Sequence, residues 1–63
     1  MDNPQNGSNV AAQIEVVEAC GEWFVRVIND GRETTSQFDL ESFALAYAEG
    51  QRLRLKLAEI RRL

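Results

Sequence analysis

The chain has 63 residues, of which 44% are hydrophobic and 27% charged, with no histidine, one cysteine and a net charge of -3. One domain is all that this length allows, and a monomer this small buries only roughly 60% of the surface its unfolded chain exposes. Cys20 has no second cysteine to pair with inside the chain, and the missing histidines argue against tetrahedral zinc, so of the usual staples for small folds a partner subunit is the one left.

Residues 1–9, MDNPQNGSN, are polar, with Pro4 and Gly7 among them. They offer nothing to bury and are expected to be a disordered tail ahead of a single domain over residues 10–63. Lacking a basic residue and an apolar stretch, the tail does not read as a secretory signal. No later run approaches the ~18 apolar residues of a membrane span. A lone cysteine suits a reducing compartment, so the expectation is cytoplasmic.

Residues 13–19, QIEVVEA, and 22–28, EWFVRVI, read as two strands, the second rich in β-branched and aromatic types. Cys20-Gly21 marks the turn between them. Asn29-Asp30-Gly31-Arg32 marks the next, since Asp-Gly supplies the positive φ values of a type I′ hairpin. Residues 33–38, ETTSQF, complete a three-stranded meander. Centring both turns pairs Glu18 with Trp23, Val16 with Val25, Glu15 with Arg26 and Ile14 with Val27. On the other side it pairs Val27 with Thr34, Val25 with Ser36 and Trp23 with Phe38. Cross-strand partners share a face. One face then holds Ile14, Val16, Trp23, Val25, Val27 and Phe38. The other holds Glu15, Val17, Phe24, Arg26, Ile28, Thr35 and Gln37. A one-residue slip of the first hairpin would mix a glutamate with Val25 on the apolar face in place of Val16, so this register is the better one for both turns.

A helix is predicted from Leu40 to Leu63, with Asp39 as N-cap and Glu41 in the first turn. The stretch has no proline and is dominated by helix formers. Phe43, Ala46, Gly50, Leu53, Leu57 and Ile60 recur at intervals of 3 and 4, a heptad-like stripe. Gly50 costs about 1 kcal/mol there relative to Ala. The fold class is therefore α+β: a three-stranded antiparallel β-meander followed by one long C-terminal helix on one sheet face. At 1.5 Å per residue such a helix spans about 36 Å, against ~20–24 Å for the strands. It would overhang the sheet with Leu53, Leu57 and Ile60 exposed, so a homodimer through those three residues is expected.

No residue constellation promises chemistry. Cys20 has no histidine to activate it, and Glu18 and Glu22 nearby oppose a thiolate. Thr34, Thr35 and Ser36 suit an edge strand better than a nucleophile. The glycines are isolated and form no phosphate loop. No enzyme, metal or cofactor is expected. Val17, Phe24, Arg26 and Ile28 on the second sheet face are candidates for a protein contact. Charge is uneven: residues 1–39 carry -5 and residues 40–63 carry +2. The basic end, Arg52, Arg54, Lys56, Arg61 and Arg62, complements a helix C-terminus. Its alternative is a nucleic-acid patch.

From Trp23 to Ala48, WFVRVINDG…FDLESFALAYA resembles small β-β-α domains of bacteria and phages, through Trp23, Val25, Arg26, Val27, Gly31, Phe38 and Ala44. Two groups share the pattern: the three-stranded arm-site-binding domain at the N-terminus of tyrosine recombinases, and short bacterial domains of unknown function. The likeness covers under half the chain. It implies the same sheet-and-helix fold and, as an alternative function, a nucleic-acid-binding accessory of bacterial or phage origin. Arm-binding domains carry several basic residues on the sheet, whereas this sheet has Arg26 and Arg32 among acids.

Overall fold

A computed structural model describes residues 12–63. The expected disordered tail, and residues 10 and 11 of the expected domain, lie outside the described residues. The order is β1 (Gln13–Ala19), β2 (Glu22–Asn29), β3 (Arg32–Phe38), α1 (Glu41–Leu55) and β4 (Arg61–Arg62). The first three strands form an antiparallel meander in the predicted register, with Val16 opposite Val25, Glu15 opposite Arg26 and Trp23 opposite Phe38. Both turns take two residues with positive φ, Cys20 at 55° and Gly21 at 81°, then Asp30 at 60° and Gly31 at 79°. This is the φ pattern whose twist matches a β-hairpin.

Alternation places Ile14, Val16, Val25 and Val27 on one face, and α1 covers them with Ala44 and Ala48. Ile14, Val16 and Val25 keep no more than 1% of their surface. Each such side chain is stabilised by about 1.5–3 kcal/mol relative to exposure. Alanines on the helix let its backbone lie close to the sheet, so the sheet supplies the bulk. Trp23, Phe38, Leu45, Tyr47 and Leu55 ring the core. The Phe38 and Tyr47 rings meet at 5.4 Å between centroids, tilted by 42°.

The helix departs from expectation at both ends. Its N-cap is Leu40, in extended geometry and without a side-chain cap, rather than Asp39. Its last residue is Leu55 rather than Leu63. Lys56 turns left-handed at φ 59°. There the Lys56 N–H donates to the Leu53 carbonyl at 3.3 Å and the Leu57 N–H to the Arg52 carbonyl at 3.0 Å. This is a Schellman stop, which usually relies on glycine. Arg52 reinforces it, its Nη1 donating to the Leu57 carbonyl at 3.0 Å. Fifteen residues span about 22 Å, the length of the strands, so no overhang forms.

Beyond the stop the chain reverses. Leu57 and Ile60 pack on the core, and β4 joins the free edge of β1 in parallel, with Arg61 opposite Glu15 and Arg62 opposite Val16. The Leu63 N–H donates to the Val16 carbonyl at 2.9 Å. The sheet thus has four strands in the order β3-β2-β1-β4. Side-chain alternation puts Arg62 on the helix side. It bridges to Glu41 in the first turn of α1 at 2.6 Å and lies 5.9 Å from the centre of the Trp23 ring. No helix among the described residues is long and apolar enough to cross a membrane.

Candidate functional site

The helix covers one side of the sheet and leaves the other to side chains of the strands themselves. On that side Glu15, Val17, Phe24, Arg26, Thr35 and Leu63 surround a shallow pocket of about 230 Å³. Register explains the set. Val17 pairs with Phe24, Glu15 with Arg26 and Arg26 with Thr35, so strand alternation brings them to one face. Leu63 arrives there because it follows β4, two residues past Arg61 and therefore on the same side as Glu15. Ile28 shares the face, opposite Gln13 and Glu33, but lies outside the pocket.

The polar centre of this face is Glu15, only 8% exposed. Arg26 Nε donates to its Oε1 at 2.6 Å, a second guanidinium nitrogen closes on the same oxygen, and the Gln13 amide donates to Oε2. Glu33 stands 3.5 Å from Arg26 on the far side. Glu15, through its hydrogen bond and then its charge, raises the Arg26 pKa above the ordinary arginine value. Glu33 adds to this, while desolvation opposes it. The cation is therefore committed to two carboxylates of its own sheet, and the apolar part of the pocket lining is Val17, Phe24 and Leu63.

Three of the basic residues are already engaged by neighbours within the chain. Arg52 holds Glu49 at 2.6 Å, Arg54 donates to Gln51, and Arg62 holds Glu41. Lys56 is at the helix stop and Arg61 on β4, both exposed. The expected dimer residues are separated too. Leu53 is 61% exposed on α1, while Leu57 and Ile60 are half-buried against the core. The continuous outward stripe from which a helix-end dimer was expected is not formed.

What remains outward on α1 is the first part of that stripe. Phe43 at 59%, Ala46, Gly50 and Leu53 face solvent, opposite the buried Ala44 and Ala48. The spacing of this stripe was legible in the sequence; that it points away from the sheet was not. Leu63 was missed, because a helix through residue 63 left no reason to place it beside Phe24. Cys20 is exposed at the first turn, and the Glu18 carboxylate beside it accepts the Gly21 N–H at 2.9 Å. Among the described residues no cluster of three or more Cys, Asp or Glu is arranged to hold a metal ion.

Comparison with family models, curated proteins and solved structures finds no match to this chain.

Proposed function

We propose that this chain is a non-enzymatic interaction module whose partner is a protein, and first of all a second copy of itself. The observation that carries the reading is apolar surface that the fold leaves uncovered on two sides. Leu40, Phe43, Leu53 and Leu63 each keep more than half of their surface, although only six apolar side chains among the described residues are buried. Folds of this size commonly complete their burial with a partner subunit. The nucleic-acid alternative has less behind it, since Arg26, Arg52 and Arg62 already hold carboxylates of the same chain.

Sedimentation equilibrium tests the reading. Dimer is expected to appear as the protein approaches about 1 mM, where an association free energy of about 4 kcal/mol suffices. A constant 7.1 kDa mass over that whole range refutes self-association. Duplex DNA added at low salt is expected to leave the sedimentation unchanged. Binding that weakens steeply with salt would instead favour the phosphate reading.

A further inference from the structure

We infer that the self-contact is made edge to edge through β3, with a second copy's β3 paired antiparallel across a two-fold axis at Thr35; this rests on the self-association proposed above. Phe43 and Leu53 lie on the outside of α1 and Leu63 on the opposite side of the sheet, so the exposed apolar side chains define no single contact. The sheet edges do. In the order β3-β2-β1-β4, the edge of β1 is covered by β4, which is itself only two residues long. At the other end β3 is a free edge of seven residues among the described residues.

Alternation says which groups this edge presents. A two-residue hairpin turn closes on a hydrogen-bonded pair, here Asn29 with Arg32, and bonded pairs then recur at every second position: Val27 with Thr34, Val25 with Ser36 and Trp23 with Phe38. Between them Glu33, Thr35 and Gln37 turn their N–H and C=O away from β2. The same count along the first hairpin turns Val16 away from β2, and its carbonyl does accept the Leu63 N–H on the far side at 2.9 Å. Natural edges are commonly blunted by a bulge, a proline or a lysine. The pairing of β3 with β2 runs without a bulge, and RETTSQF has neither proline nor lysine. Arg32, Glu33, Thr34, Thr35 and Gln37 are all exposed.

The side chains of β3 select a copy of itself and fix its direction. Antiparallel pairing centred on Thr35 overlaps the strand over its whole length. It sets Glu33 against the partner's Gln37, whose amide donates to the carboxylate, and Thr34 against the partner's Ser36, a favourable hydroxyl pair. Glu33, Thr35 and Gln37 each exchange both backbone bonds with the residue opposite. A parallel copy would set Glu33 against the partner's Glu33 and Arg32 against the partner's Arg32, like charges directly opposed. Sliding the antiparallel copy toward the turns shortens the overlap and brings the two Glu33 carboxylates together. Sliding it the other way moves Glu33 from the partner's Gln37 to the partner's Asp39, another carboxylate. The two-fold contact uses both β3 edges, so assembly stops at a dimer instead of growing into a filament.

Sedimentation equilibrium up to about 1 mM on the full chain and four variants tests this, with circular dichroism melting of each as a folding check. Thr35→Pro removes an outward N–H that β2 does not use, a change that edge strands accept, and is expected to weaken the dimer at least about ten-fold. The Gln37 variants read the register. Gln37→Glu sets two carboxylates opposite each other and should weaken the dimer, whereas Gln37→Lys sets a cation opposite Glu33 and should tighten it, each by about two- to five-fold at low salt. Leu53→Glu, on the outer face of α1, should leave the dimer unchanged. If the wild-type chain keeps a 7.1 kDa mass up to about 1 mM, self-association itself fails and this contact with it. The dimer stands and the β3 contact is overturned if a folded Thr35→Pro associates as well as the wild type, or if Leu53→Glu dissociates the dimer. The same holds if the two Gln37 variants fail to shift association in opposite directions, and this pair decides even where Thr35→Pro does not fold.

Discussion

Cys20 occupies a backbone position that suits few residues. At φ 55° its Cβ crowds its own carbonyl, a conformation that costs a residue with a side chain roughly 1–2 kcal/mol and that asparagine tolerates best. Cys20→Asn is therefore expected to stabilise the fold by about 0.5–1 kcal/mol, raising the melting temperature by about 2–8 °C for a domain of this size. Gly31 makes the reverse case. Nothing lies within 4 Å of where its Cβ would be, so Gly31→Val meets no clash and is penalised by φ 79° alone. A loss of about 1–2 kcal/mol is expected by chemical denaturation. Glu49 supplies a pH dependence. The hydrogen bond from Arg52, and then its charge, lower the Glu49 pKa below the ordinary carboxylate value. A depressed carboxylate adds stability above its unfolded-state pKa and loses it as pH falls through the folded one. In melting curves across that acid window, Glu49→Gln should lose less stability than the wild type.

At the scale of the element, the end of α1 decides the architecture. Nothing in RLRLKLAEIRRL is a conventional stop: no glycine, no proline, and Lys56 is a good helix former. The helix ends because Lys56 takes a left-handed conformation and Leu57 turns back onto the core. Lys56→Gly separates this from a continuous helix. With the observed stop, glycine relieves the left-handed strain and should stabilise the fold by up to about 1 kcal/mol. In an uninterrupted helix the same change would destabilise by about that amount. The direction of the shift in denaturation midpoint distinguishes the two.

For the whole molecule, the segment after the helix is a structural closure. Leu57 and Ile60 cover the end of the core, β4 caps the exposed edge of β1, and Arg62 ties that strand to Glu41 at the start of α1. The bridge itself is about half exposed at both ends and contributes little, since surface pairs have a median value of about 0–1 kcal/mol. Apolar contact contributes more. Ile60→Asp is expected to cost about 1–3 kcal/mol in a denaturant titration, because a carboxylate replaces a side chain packed on the core. An Ile60 on a solvent-facing helix would tolerate the change.

The three strands, both turns and the full register were legible in the sequence because their determinants are local. Cys20-Gly21 and Asp30-Gly31 fix the turns, and the alternation of Ile14, Val16, Val25 and Val27 admits one register that buries them together. The membership of the second sheet face, Val17, Phe24, Arg26 and Ile28, followed from the same rule. The helix end, β4 and the place of Leu63 could not be read this way. Local propensity favours helix to the last residue, and its preference per residue is a few tenths of a kcal/mol. That is less than the burial gained when Leu57 and Ile60 reach the core. Which helix face meets the sheet was also undecided locally, since Phe43, Ala46, Gly50 and Leu53 are as apolar and as well spaced as Ala44 and Ala48. The tertiary structure chose the alanines, because a sheet already carrying Ile14, Val16, Val25 and Val27 leaves room beneath the helix only for small side chains.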